Sequence, residues 1–147
     1  MNVYRIHPRA YPALGGIGAG IFGGRWNPRG IRMVYASLAY EGAMLEQLAH
    51  TTTGRLPVSR IASRIVIPED CAVPMIDEIR YPDWQNAARS REIGAEWVES
   101  GRSVALKVPS FVAQPWGWNV ILNPLHPDFA RVSVAEAVDV VWDGRFL

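Results

Sequence analysis

Eleven prolines and thirteen glycines are scattered along the 147 residues, and they cut the chain into short elements. Proline removes a backbone donor and glycine weakens element interiors, so long uninterrupted helices or strands are excluded. Alternating apolar residues predict strands near 3–6, 31–36, 60–67, 103–108, 118–122 and 138–142. In IRMVYA, Met33 and Tyr35 share one face, while ASRIVIP and VALKVP each stop at a proline. Two segments have helical spacing. One covers 38–50, with Ser37 as its expected N-cap, and the other covers 88–100, with Gly101 placed to end it. Strands scattered among two good helices do not make a βαβ repeat. The expected fold is α+β, a single domain over 1–147 with a mostly antiparallel sheet and flanking helices.

Hydrophobic residues make up 49% of the chain and charged residues 20%, enough to bury a core. Fifteen basic residues against fourteen acidic ones leave a net charge of +1. The basic residues are dispersed, which argues against direct nucleic-acid binding. A lone Cys71 rules out an internal disulfide, and His7, His50 and His126 lack ligand spacing, so no metal is expected. No apolar run approaches the roughly 18–20 residues that cross a bilayer. Arg5, His7 and Arg9 interrupt what a signal peptide would need as its apolar stretch. The expectation is a cytoplasmic protein without membrane contact.

Three segments carry chemistry. GIGAGIFGGRWNPRG (16–30) is too glycine-rich for ordinary structure and lacks both the strand–turn–helix setting of a Rossmann site and the G-K-[ST] of a P-loop. It is expected to be a flexible loop that presents Arg25, Trp26 and Asn27 in a turn before Pro28. In the 38–50 helix, Glu46 lies about 80° from Leu38 and about 60° from Ala49, at the flank of the apolar stripe. A carboxylate there must be paired or line a cleft, and Tyr35 at the end of the preceding strand can approach the same cleft. KVPSFVAQPWGWNVILNPLHP (107–127) holds Ser110 after Pro109 and then an aromatic loop leading to Asn119. No Gly-x-Ser-x-Gly elbow surrounds Ser110, which makes it a hydrogen-bond donor rather than a nucleophile. His126, between two prolines, is a turn histidine.

Taken together, VYRI (3–6), GGRWNPRG (23–30), VYAS (34–37), MLEQL (44–48), REIGAEWV (91–98), KVPS (107–110) and NVILNPLHP (119–127) resemble the RES-domain toxins. These are the toxin halves of bacterial RES–Xre toxin–antitoxin modules, and the pieces fall in the family's order over nearly the whole chain. The Arg, Glu and Ser that give the family its name are matched by Arg25, Glu46 and Ser110. The aromatic PWGWN stretch departs from the family pattern.

The resemblance implies an ADP-ribosyltransferase-like fold and a toxin that depletes NAD⁺ by cleaving its nicotinamide–ribose bond. The ADP-ribosyl group would pass to water, to inorganic phosphate as co-substrate, or to a protein. NAD⁺ is then a substrate and no cofactor is expected. The resemblance assigns Arg25, Tyr35 and Glu46 to catalysis and Arg5, Ser110, Trp84 and Asn119 to NAD⁺ binding. It also implies a separate Xre-type antitoxin that blocks the cleft, in a complex that can oligomerise. A protein ADP-ribosyltransferase is the nearer rival, and an inactive nucleotide- or antitoxin-binding module the more distant one. Among the six tryptophans, Trp26 belongs to the active loop and Trp97 to the helix core, Trp116 and Trp118 are candidates for a ligand or antitoxin contact, and Trp142 packs from the last strand.

Overall fold

Six strands and three helices follow one another in a computed structural model that describes residues 1–51 and 54–146. The order is β1 (Asn2–Pro8), α1 (Ile17–Phe22), β2 (Val34–Ser37), α2 (Tyr40–Ala49), β3 (Arg60–Val66), α3 (Ala87–Ser100), β4 (Ala105–Pro109), β5 (Trp118–Leu122) and β6 (Ser133–Asp139). The strands form one sheet in the order β4-β5-β2-β1-β3-β6, with every neighbouring pair antiparallel. The α+β architecture with an antiparallel sheet is therefore as expected. No helix among the described residues is long and apolar enough to cross a membrane.

β5 is buried on both faces, and alternation sends its side chains to opposite layers. Val120 and Leu122 join Val3, Val34 and Ile65 in one core, while Ile121 joins Leu106, Val108, Ile93, Trp97 and Trp26 beneath α3. A smaller core of Ile6, Ala43 and Ala62 fastens α2 to β1 and β3.

The ladders are uneven. β1 pairs with β3 through seven residues, from Asn2↔Val66 to Pro8↔Arg60, yet meets β2 only at Tyr4↔Ser37. The centre of the sheet thus opens between β1 and β2, and α2 lies beside the opening.

Three local expectations are corrected. The segment 17–22 is a short helix rather than loop, closed by Gly20 N–H to the Gly16 carbonyl and Gly23 N–H to the Ala19 carbonyl. Glycines at both ends adopt positive φ and let the chain enter and leave one tight turn. Ser37 does not cap α2. It remains the last residue of β2, and the helix starts beyond Ala39 without a side-chain cap. The final strand is 133–139 rather than 138–142, because an edge strand is defined by backbone pairing with β3 and every one of its residues is exposed. The apolar Val140 that drew the prediction packs instead against the α2–β1 core.

α3 ends at Gly101 as expected, and the structure adds its N-cap. The Asn86 side chain accepts from the Ala88 and Arg89 amides, and Gly101 ends the helix at φ 63°. Its docking depends on Gly94, where an added Cβ would stand 1.6 Å from the Trp26 carbonyl oxygen. The Ser90 hydroxyl donates to the Arg25 carbonyl at 2.5 Å one turn earlier. Gly94→Ala must therefore push α3 off the Arg25–Trp26 segment. Urea unfolding should show a loss of about 1–3 kcal/mol, the usual range for overpacking; an unchanged midpoint would refute this packing.

Candidate active site

The opening between β1 and β2 is a cavity of about 420 Å³. β1, β2, the Gly23–Trp26 turn, α2, the loop after β4 and the start of β5 line it, and they bring Arg5, Arg25, Tyr35, Glu46 and Asn119 to one place. Five of the seven expected site residues therefore share this cavity.

Arg5 lies half-buried on its floor. One terminal nitrogen donates to the Tyr35 carbonyl at 3.1 Å, taking an acceptor that the interrupted ladder leaves free. Its Nε is buried and meets no partner among the described residues. Burial lowers the Arg5 pKa, although a guanidinium keeps its charge in proteins. Beside it, the buried His7 Nδ1–H faces the Pro8 and Tyr11 carbonyls, so Nε2 accepts from the Ser63 hydroxyl at 2.8 Å. Burial first, and then the Arg5 charge, lower the His7 pKa and favour the neutral ring. Nothing in the sequence spacing marks His7 as a cavity residue, because it arrives there by strand alternation with Arg5.

Tyr35 presents its ring to the cavity, but its hydroxyl is already committed. It donates to Asn27 Oδ1 at 2.5 Å and accepts from the Trp26 amide at 3.0 Å. Burial drives its pKa far above the ordinary tyrosine value. Asn27 is fully buried, and its Nδ2 donates to the Ala19 and Ile31 carbonyls, each at 2.8 Å. Tyr35 and Asn27 thus clamp the turn that carries Arg25. Gly24 is needed at this clamp, since a Cβ there would come within 2.6 Å of the Tyr35 hydroxyl.

Arg25 itself is exposed at the mouth, with its guanidinium 4.8 Å from the centre of the Phe111 ring. Trp26 points the opposite way into the core. It stacks on Trp84 at 6.2 Å, and Trp84 meets Phe111 edge-on at 5.1 Å. Trp84 is therefore not among the cavity's lining residues. It forms a second row that supports Trp26 and Phe111, because the loop before α3 reaches the site from behind.

Glu46 enters from α2, one turn before His50, whose Nδ1–H donates to the Glu46 carbonyl at 2.6 Å. Carboxylate Oε1 accepts from Asn119 Nδ2 at 2.8 Å and from the Ser110 hydroxyl at a longer 3.3 Å. Ser110 is buried behind Glu46, and its oxygen also accepts from the Val112 and Ala113 amides. It anchors the aromatic loop and touches the carboxylate rather than lining the cavity. Among the described residues, Glu46 is the only carboxylate that lines it.

A second cavity of about 490 Å³ shares Gly23, Gly24, Arg25 and His50 with the first and adds Arg29 and Arg91. Its walls carry three guanidiniums and no carboxylate among the described residues. Neither Arg29 nor Arg91 was a sequence candidate. Arg91 is one of several charges on α3, and only the docking of that helix brings it to the mouth.

Comparisons with known proteins identify the chain's relatives. A family model described as "RES domain" matches residues 2–143. The chain is 34% identical, over 95% of its length and 91% of the relative's, to a protein named "Prs ADP-ribosylating toxin" from Sphingobium sp. (strain YBL2). It is 36% identical, over 99% of both chains, to "Toxin Res" of Yersinia enterocolitica. The toxin in the crystal structure of the M. tuberculosis MbcT–MbcA toxin–antitoxin complex has a similar fold, with a TM-score of 0.76 at 21% identity over 95% of this chain and 83% of that one. With the family model matched over residues 2–143 and relatives above 30% identical over nearly the whole length, the chain belongs to the RES-domain toxin family.

Proposed function

We propose that this toxin consumes NAD⁺ by breaking the bond between nicotinamide and ribose, with Glu46 as the catalytic carboxylate. The observation that carries this reading is that Glu46, among the described residues, is the single carboxylate lining a cavity whose wall also holds Arg5, Arg25 and the rings of Tyr35 and Phe111. Hydrolysis of an ordinary O-glycoside uses two carboxyl groups, because the leaving oxygen must be protonated. Nicotinamide departs as a neutral molecule from a cationic nitrogen and needs no acid. One carboxylate then suffices to stabilise positive charge on the ribose and orient the attacking group. All the hydrogen bonds that the Glu46 carboxylate accepts among the described residues fall on Oε1, which leaves Oε2 for the substrate.

The remaining residues suit the rest of the dinucleotide. Arg5 and Arg25 present planar forks to pyrophosphate oxygens. The Tyr35 ring packs against the nicotinamide-ribose, and the adjoining basin of Arg29 and Arg91 continues the positive wall toward the adenosine end. The Tyr35 hydroxyl, saturated by Asn27 and Trp26, orders the Arg25 turn and transfers no proton.

The acceptor is water or phosphate in this reading. Transfer to a protein is the second reading, favoured by the relative whose name includes ADP-ribosylation of Prs. We assign the toxin a cytoplasmic setting and an Xre-type antitoxin that covers the cleft. The fold neighbour was solved with its antitoxin, and the side chains of Ile21 and Phe22 stand exposed beside the mouth here.

Incubating the purified chain with NAD⁺, with and without phosphate, should release nicotinamide, and mass analysis should identify ADP-ribose or its phosphate ester. Label from NAD⁺ in a protein band would select the second reading. NAD⁺ left intact with water, phosphate and lysate alike would refute both. Glu46→Gln should slow release about 10²–10³-fold, the effect of losing one electrostatic group, while the chain still folds and binds NAD⁺. Arg5→Lys should raise KM by removing the fork while keeping the charge. Tyr35→Phe should lower stability by about 1–3 kcal/mol, since it strands buried polar groups on Asn27 and Trp26. A rate loss with full stability would instead assign the hydroxyl a chemical role.

A further inference from the structure

We propose that Ser37 and Asn119 form a positioning relay that holds the Glu46 carboxylate in its reactive orientation. The inference rests on the assignment of Glu46 to the reaction. Ser37 and Asn119 stand directly opposite one another in the β2–β5 ladder, which puts both side chains on the same face of the sheet. The Ser37 hydroxyl donates to Asn119 Oδ1 at 2.8 Å, and Asn119 Nδ2 donates to Glu46 Oε1 at 2.8 Å. Ser37 is 2% exposed, so water does not compete for its hydroxyl.

The direction of the relay follows from the chemistry of the amide. One end of an asparagine side chain donates and the other accepts, and the two have nearly the same shape. A flipped Asn119 would aim its carbonyl oxygen at Glu46 Oε1, acceptor against acceptor. With the hydroxyl donating to Oδ1, the NH₂ end faces the carboxylate. Glu46 is carried by a helix, whereas Ser37 and Asn119 belong to the central sheet. The relay therefore ties a side chain from one layer to the rigid layer beside it. It fixes Oε1 and turns Oε2 toward the cavity, which is the condition for a carboxylate to stabilise charge without reorganising. Asn119 is thus assigned to Glu46 rather than to direct contact with NAD⁺.

Steady-state release of nicotinamide by the purified toxin tests this. Ser37→Ala should lower kcat about 3–10-fold and Asn119→Ala about 10–100-fold, as expected for neutral and charge-assisted hydrogen bonds, with KM within twofold of wild type. Ser37→Thr should recover most of the rate lost in Ser37→Ala. Ser37→Ala combined with Asn119→Ala should be no slower than Asn119→Ala alone, because the serine acts only through the amide. Asn119→Asp keeps the size and shape but replaces the donor by a second carboxylate, and should lose at least as much rate as Asn119→Ala.

Additive losses in the double variant, a rise in KM without a fall in kcat, or a fully active Asn119→Asp would each overturn the relay. If Glu46→Gln is inactive while Ser37→Ala and Asn119→Asp keep wild-type kcat, the relay fails alone. If Glu46→Gln keeps wild-type kcat, the assignment beneath it fails.

Discussion

The site exists because β1 and β2 meet at Tyr4↔Ser37 and then part, although each keeps a longer ladder on its other side. Separating two central strands leaves backbone carbonyls unpaired in a place where water is scarce, at a cost comparable to lost hydrogen bonds. Side chains close the account. Arg5 donates to the Tyr35 carbonyl, and Gln47, from α2, donates to the Ile6 carbonyl at 3.2 Å. The cavity walls are therefore made of groups that replace ladder bonds. Loss of the Arg5 guanidinium removes both a cationic wall and a structural partner of β2.

A second constraint fixes the mouth. The turn bearing Arg25 has little regular structure of its own, and it is held from two sides. Tyr35 and Asn27 bind it from the sheet and α1, while Ser90 and Gly94 receive it on α3. Trp26 is driven inward against Trp84 and Phe111, and Arg25, the preceding residue, is left facing solvent over the Phe111 ring. One buried aromatic thus sets the direction of one exposed cation. A glycine-rich signature that suggests flexibility is, in place, a tightly packed turn whose glycines allow close approach.

That contrast explains what the amino-acid pattern could and could not reveal. Alternation and proline stops found all six strands, five of them close to their bounds, and the end of α3 was legible because Gly101 acts locally. Arg25 and Glu46 were visible as residues out of keeping with their surroundings. What escaped depends on long-range register. Ser37 has the composition of an N-cap, yet its partner is Asn119, eighty-two positions away and opposite it in the sheet. Trp84 packs behind Trp26 and Phe111 and Ser110 stands behind the carboxylate, placements that no local spacing encodes. β6 was displaced toward apolar residues because its backbone is paired while its side chains remain exposed.

Charge shows the same dependence on placement. A net charge of +1 suggests a nearly neutral molecule, but the ion pairs are not evenly distributed. Arg9, Arg64, Arg89, Arg131 and Arg145 pair with Asp139, Glu136, Asp83 and Glu92, Asp70 and Asp128, and Asp143, respectively, at exposed positions. Arg5, Arg25, Arg29 and Arg91 form no such pair among the described residues, and all four line the two joined cavities. Four guanidiniums without an ion-pair partner on adjoining walls make a local positive field, which low-dielectric surroundings focus whatever the net charge of the chain. Within that field Glu46 is the one negative group, and its Oε1 is held by donors. On the function proposed above, an anionic dinucleotide would be attracted by the walls as a whole, while the single carboxylate would face the glycosidic bond to the cationic nicotinamide ring, where positive charge passes to the ribose as that bond breaks.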